Sequence, residues 1–174
     1  MNMDKNQLAK DIRTAIKNGD QDGVLELIDT DENSLTMTTQ FGTWAHVAAK
    51  HGKLGILRQL VQKGININAG GGLSGGTPIR DAASEGHLDI VKYLLSLGAT
   101  LDVSVSERNA LFSAIYNGHA EVAKALIEGG IDTTVRYFGE NLKGVDALAF
   151  ARQYGRTEIE AILRTNAHRV PARY

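Results

Sequence analysis

Five histidines, His46, His51, His87, His119 and His168, are the residues of this 174-residue chain best suited to proton transfer or metal ligation. Their spacing argues against both, because no Cys/His/carboxylate cluster has the intervals that close around a metal ion. The chain has no cysteine. That removes thiolate catalysis, disulfides and Cys-based zinc sites together, and it fits a reducing compartment. Serines and aspartates are common, but nothing resembles the strained turn that carries a nucleophilic serine. The glycine-rich segment from Ala69 to Gly76 invites comparison with a phosphate-binding loop. No lysine follows its last glycine, so the group that would meet the phosphate is missing. The segment is expected to be a mobile finger, with only Leu73 to bury. The tail, with Arg164, His168, Arg169 and Arg173, is locally basic but lacks interleaved aromatics, and reads as a solvated terminus and not as a nucleic-acid surface. The chain is therefore expected to have no catalytic residues, no cofactor and no metal.

Whatever these residues do, soluble elements must hold them. Hydrophobic residues make up 43% and charged residues 22%, the balance of a globular protein. A net charge of -1 supplies no overall field for nucleic acid or an anionic membrane. The first ten residues are polar and include Asp4 and Lys5, so a secretory signal is not expected. No apolar run approaches the ~20 residues of a membrane span. A cytoplasmic protein, monomeric when unbound, is the expectation.

The positioning elements announce themselves by repetition. Gly19, Gly52, Gly86, Gly118 and Gly155 stand 33, 34, 32 and 37 residues apart. Four residues before each is an alanine: Ala15, Ala48, Ala82, Ala114 and Ala151. Eight and nine residues after come aliphatic pairs, Leu27/Ile28, Leu60/Val61, Leu94/Leu95 and Leu126/Ile127, with Leu163 alone in the fifth copy. A period near 33 residues predicts a solenoid whose units pack on their neighbours. In the third copy Thr77 can cap a helix, Pro78 suits its first position, and Ile79, Ala82 and Ala83 share a face. Gly86 should end that helix, and Leu88, Val91, Leu94 and Leu95 should stripe a second one that stops at Gly98.

The third copy, from Gly76-Thr77-Pro78 through Ala82-Ala83 and Gly86-His87 to Gly98-Ala99, resembles the ankyrin repeat. The likeness extends over about Ile12 to Leu163, with Thr43-Trp44-Ala45-His46 in copy two and Gly118-His119 in copy four. It implies an all-α ankyrin-repeat solenoid of about five helix-turn-helix units with short hairpin fingers. One domain over 1–168 is expected, with units near 8–40, 41–75, 76–106, 107–143 and 144–168 and a tail at 169–174. Gly23 and Arg152 replace apolar residues in the end copies, as capping units allow. The resemblance gives His46, His87 and His119 structural roles, His46 through hydrogen bonds between neighbouring units. Trp44, in the usual proline position, is read either as a plug against a neighbouring unit or as part of a groove rim.

By the same resemblance a partner protein would lie in a concave groove formed by the first helices and the fingers. The two residues before each pacing glycine should face it: Lys17/Asn18, Lys50/His51, Ser84/Glu85, Tyr116/Asn117 and Gln153/Tyr154. Tyrosines there are informative, because aromatic anchors dominate interface energetics. The expected partner site is Lys50, His51, Glu85, Arg108, Tyr116, Asn117, Tyr137, Phe138 and Tyr154. The function so implied is a protein-protein interaction module, one version being an inhibitor or immunity-type protein of a toxin or effector. A small-molecule or catalytic site using the glycine loop with His51, Glu85 and Arg80, and a purely structural scaffold, are the alternatives.

Overall fold

A computed structural model describes residues 4–72, 75–139 and 143–167. The repeats become ten helices among these residues, paired as α1 (Lys5–Asn18) with α2 (Gln21–Ile28), α3 (Trp44–Lys50) with α4 (Leu54–Gln62), α5 (Pro78–Glu85) with α6 (Leu88–Ser96), α7 (Ala110–Asn117) with α8 (Ala120–Glu128), and α9 (Ala147–Gln153) with α10 (Thr157–Ala167). First helices stack on first helices, α1 on α3, α3 on α5, α5 on α7 and α7 on α9. Second helices contact their own kind in a parallel layer, as α6 does α8 and α8 does α10. One sheet is present among the described residues, the two-stranded pair β1 (Tyr137–Phe138) and β2 (Lys143–Val145), antiparallel with a register irregularity. The all-α solenoid with hairpin fingers is the observed architecture.

Each aliphatic pair splits in two. Leu60, Leu94 and Leu126 are fully buried between the layers, whereas Val61, Leu95 and Ile127 pack against that core only in part. Adjacent helical residues diverge by about 100°, so one of the pair faces its own first helix and the other turns aside. Leu95 turns toward the next unit, where its methyl groups crowd Gly129. Trp44 is the plug: its ring is wholly buried and its Nε1–H donates to the Ser34 carbonyl, 2.7 Å away in the preceding unit.

The pacing glycines all have positive φ, between 64° and 80°. Gly86 shows that conformation is only half the reason. A Cβ built on it would stand 2.6 Å from His119 Nδ1 of the next unit, closer than any real contact allows. That histidine occupies the N-cap position of α8 but makes no side-chain cap there. Its Nε2 instead meets the Ser84 carbonyl of α5 at 3.1 Å. His87 treats the Lys50 carbonyl of α3 in the same way, at 3.1 Å. Arg156, next in the series, donates through Nε to the Ile115 carbonyl at 3.0 Å and through a second nitrogen to that of Tyr116. The residue after a pacing glycine thus reaches backward and satisfies carbonyls that the preceding first helix leaves open at its C-terminus.

His46 works differently, within the finger row. Its Nδ1 accepts from the Thr43 backbone N–H at 3.1 Å, which puts the proton on Nε2, and Nε2 donates to the Gly76 carbonyl at 3.0 Å. The short finger at 39–42 closes through reciprocal Thr39 and Gly42 backbone bonds, and the glycine finger closes through Gly71 N–H to the Gly76 carbonyl. These fingers touch. A Cβ on Gly71 would lie 2.8 Å from the Gly42 Cα, so close backbone approach accounts for glycine there where the sequence suggested only mobility. Leu73 and Ser74 of that finger, and residues 168–174 of the tail, lie outside the described residues. At the first unit, Gly23 leaves room for the Asp20 carboxylate, which accepts from the Gly23 N–H at 3.0 Å and caps α2.

Candidate functional site

The site begins with five aromatic rings that the repeat brings into line. Phe112, on α7, stacks on Phe150 of α9 with ring centres 4.4 Å apart, and meets Tyr137 edge-on at 4.8 Å. Phe150 contacts Tyr154 at 4.7 Å, and Tyr154 meets Tyr116 edge-on at 5.1 Å. The inner rings are buried, and the series runs outward to Tyr154 (38% exposed) and Tyr116 (54%). Phe138, at the finger, stands 80% exposed. Between α5, α7, α9, the 104–107 loop and this finger lies an open groove of about 1000 Å³. Arg80, Glu107 and Arg136 supply its charged walls.

Of the expected site residues, Tyr116, Asn117, Tyr137, Phe138 and Tyr154 come together in this groove. Tyr137 is turned inward, however: its hydroxyl donates to the Val103 carbonyl at 2.8 Å and accepts from Asn109 Nδ2 at 2.9 Å. Burial holds the phenol above its ordinary pKa. It anchors the finger and offers the groove only a ring surface. Asn117 is exposed yet tied, donating to the Ser113 carbonyl at 3.0 Å and to Ser84 Oγ at 3.3 Å across the unit boundary. Tyr116 and Tyr154 pack on each other, not on a finger.

Lys50, His51 and Glu85 lie outside the groove, farther toward the first units. There His51 lies in the field of Lys17, Lys50 and Lys53, with Glu85 opposing. Partial burial and these lysines lower its pKa. Arg108 sits apart, over Gly75, 3.9 Å from Asp102, in a second cavity that Gly70 and Thr77 also line. The alternative constellation is not assembled: Gly70 and Gly75 line that cavity, whereas His51, Glu85 and Arg80 do not. Arg80 is engaged by the Glu107 carbonyl at 3.0 Å and Asp81 at 3.2 Å. Among the described residues no group of three or more His, Asp or Glu side chains could hold a metal ion, and no helix is long and apolar enough to cross a membrane.

Phe112 and Phe150 escaped the sequence reading. Counted back from the pacing glycines, Phe112 shares a column with His46 and Arg80, and Phe150 shares one with Asp81 and Ser113. Each column also holds a smaller apolar residue, Ala149 in the first and Val47 in the second, so the one signal is the size of the ring at a position no other copy fills with an aromatic.

A family model for ankyrin repeats, three copies, matches residues 12–105, more than half the chain. The chain belongs to the ankyrin repeat family. This ankyrin chain is similar to an ankyrin repeat protein of Acanthamoeba polyphaga mimivirus, 36% identical over 81 residues, or 47% of this chain and 13% of that protein. It is also similar to ankyrin repeat and SAM domain-containing protein 6 of Rattus norvegicus, 34% identical over 107 residues, 61% of this chain and 12% of the relative. An ankyrin repeat protein of Rickettsia felis is 28% identical over 120 residues, 63% of this chain and 53% of its own length. The chain thus spans between about an eighth and about half of these relatives. Ankyrin repeats are generally protein-protein interaction modules and generally non-catalytic.

Proposed function

We propose that this ankyrin chain binds a partner protein across the first-helix face, with the aromatic groove of the last two units as its centre. The observation that carries the reading is the exposed Tyr116–Tyr154 pair facing Phe138 over an open groove. Three large apolar surfaces converge there, and buried aromatic anchors commonly contribute about 2 kcal/mol or more each to an interface. The rings are preorganised by Phe150 and Phe112, so little rotamer freedom is lost when a partner covers them. Lys50, His51 and Glu85 extend the face, and their charges would set orientation and on-rate.

The test is the double variant Tyr116→Ala/Tyr154→Ala. Affinity for the protein captured from the native cell should fall at least tenfold, with a stability loss of about 1 kcal/mol from the broken ring contacts. Lys92→Ala, on the exposed face of α6, should leave binding unchanged. Wild-type affinity in the double tyrosine variant would move the interface elsewhere. The narrower role of inhibitor of a toxin or effector follows if the captured partner loses activity when bound; unchanged partner activity assigns scaffolding instead.

A further inference from the structure

We propose that the segment taken by this face is an extended acidic peptide with one aromatic anchor, its carboxylates over the lysines of the first two units and its ring in the aromatic groove. This inference rests on the reading of the face as a protein-binding surface.

The chain as a whole carries -1, yet its first-helix face is cationic at one end. Lys17, Lys50 and Lys53 all act on His51, opposed by Glu85, and Lys50 also acts on the largely buried Asp81; Lys53 reaches back to the preceding unit, its Nζ 3.5 Å from where a Cβ on Gly19 would stand. Among the described residues none of the three lysines is held in an ion pair. Lys17 and Lys50 also close the last turns of α1 and α3, where their charge offsets the helix C-termini instead of an acidic side chain. Arg136, at the other end, is 64% exposed and reaches Asp146 only at 3.8 Å. Such under-compensated cations suit carboxylates. The aromatic groove suits a ring, because edge-on and offset contacts are open at Tyr116, Tyr154 and Phe138.

Stacked helices lie about 8–10 Å apart, so α3 and α7, two steps along the layer, are separated by about 16–20 Å. An extended chain advancing about 3.3 Å per residue crosses that gap in five or six residues. The carboxylates and the ring of the partner segment should therefore be five or six residues apart. A nucleic acid strand would need cations along its whole track. Here the three lysines without an ion pair gather at one end, and at the other Arg80 is engaged by Asp81 while Glu107 stands on the groove wall.

The probes are fluorescein-labelled synthetic peptides bearing three aspartates at either end and a phenylalanine two, five or eight residues away, with glycine and serine between. Their counterparts carry lysines for the aspartates or alanine for the phenylalanine, and a ten-nucleotide oligo-thymidine is titrated beside them. Anisotropy with the full chain, at low and high salt, should show the acidic, five-residue spacing at least tenfold tighter than its lysine or alanine counterparts. Lys17→Gln/Lys50→Gln should remove the preference for aspartate and keep that for phenylalanine. Tyr116→Ala/Tyr154→Ala should do the reverse. Equal or tighter binding of the lysine peptides or of the oligonucleotide overturns the proposal, as does silence across all the peptides. If lysine peptides bind and the tyrosine variant abolishes it, the acidic partner falls and the groove stands. If the tyrosine variant binds every peptide like wild type, the groove itself falls.

Discussion

Replacing Gly86 by alanine separates two physical demands that the pacing glycines meet together. The first is conformational. Gly86 has φ 80°, where a Cβ costs about 1–2 kcal/mol, offset in part by the lower entropy of the unfolded alanine chain. The second is space, because the new Cβ would stand 2.6 Å from His119. The ring must move, and the bond from Nε2 to the Ser84 carbonyl, 3.1 Å long, is lost with it. Losing that bond adds about 1 kcal/mol. Gly98 isolates the first demand: its φ is 76°, and nothing lies within 4 Å of where its Cβ would be. Gly98→Ala should therefore cost about 1 kcal/mol and Gly86→Ala about 2–3 kcal/mol. Urea unfolding followed by far-ultraviolet circular dichroism measures both. In Gly86→Ala/His119→Ala the two losses should fall short of their sum, because the clash and the bond involve one ring. Equal destabilisation by Gly86→Ala and Gly98→Ala would refute the account of close approach.

Other consequences follow from burial and charge. Leu94→Ala should cost about 2–5 kcal/mol and Leu95→Ala clearly less, since only Leu94 is sealed between the layers; denaturant midpoints decide, and equal losses would contradict the split. Tyr137→Phe leaves the Val103 carbonyl and Asn109 amide without the hydroxyl, so hydrogen exchange should accelerate around 103–109 and in β1 and β2 while α3 and α4 keep their protection. His51 has its pKa lowered in the fold, so the unfolded chain binds the proton more readily. Stability should fall as pH drops below about 6.5 toward the folded value, and His51→Gln should flatten that slope in melting curves taken between pH 5 and 7.

The sequence made the solenoid legible because its signals repeat in phase: a glycine that ends a helix, an alanine that lets layers approach, a leucine that fills between them. The three structural histidines were legible through the resemblance to the ankyrin repeat, whereas Trp44 stayed between a plug and a groove rim until its buried ring and its bond to the Ser34 carbonyl decided for the plug. Arg156 was not read as a counterpart of His87 and His119. What that position requires is a donor that reaches backward, and arginine satisfies the requirement with a different shape. Tyr137 was expected in the partner site, but loop aromatics carry no periodicity to say which way they turn; Asn109 and Val103, about thirty residues away, turn it inward. The aromatic series failed for a related reason. Phe112 and Phe150 look like ordinary core residues on their own helices, and only stacking across two units makes them a site.

The backward reach of His87, His119 and Arg156 gives the array a direction. Every first helix from α3 to α7 borrows its closing side-chain donor from the unit that follows, and among the described residues none borrows one from the unit before. Deleting α9 and α10 takes Arg156 from α7, whereas deleting α1 and α2 leaves the carbonyl donors of α3, α5 and α7 in place. Truncation from the C-terminal side should consequently loosen the unit it stops at through lost burial and lost carbonyl donors together, and truncation from the N-terminal side through lost burial alone. Nearest-neighbour coupling of this kind is asymmetric. The aromatic groove spans the joint that Arg156 closes, so a ligand clamped between α7 and α9 would act as a latch on that joint, keeping the borrowed donor on α7 and slowing its opening.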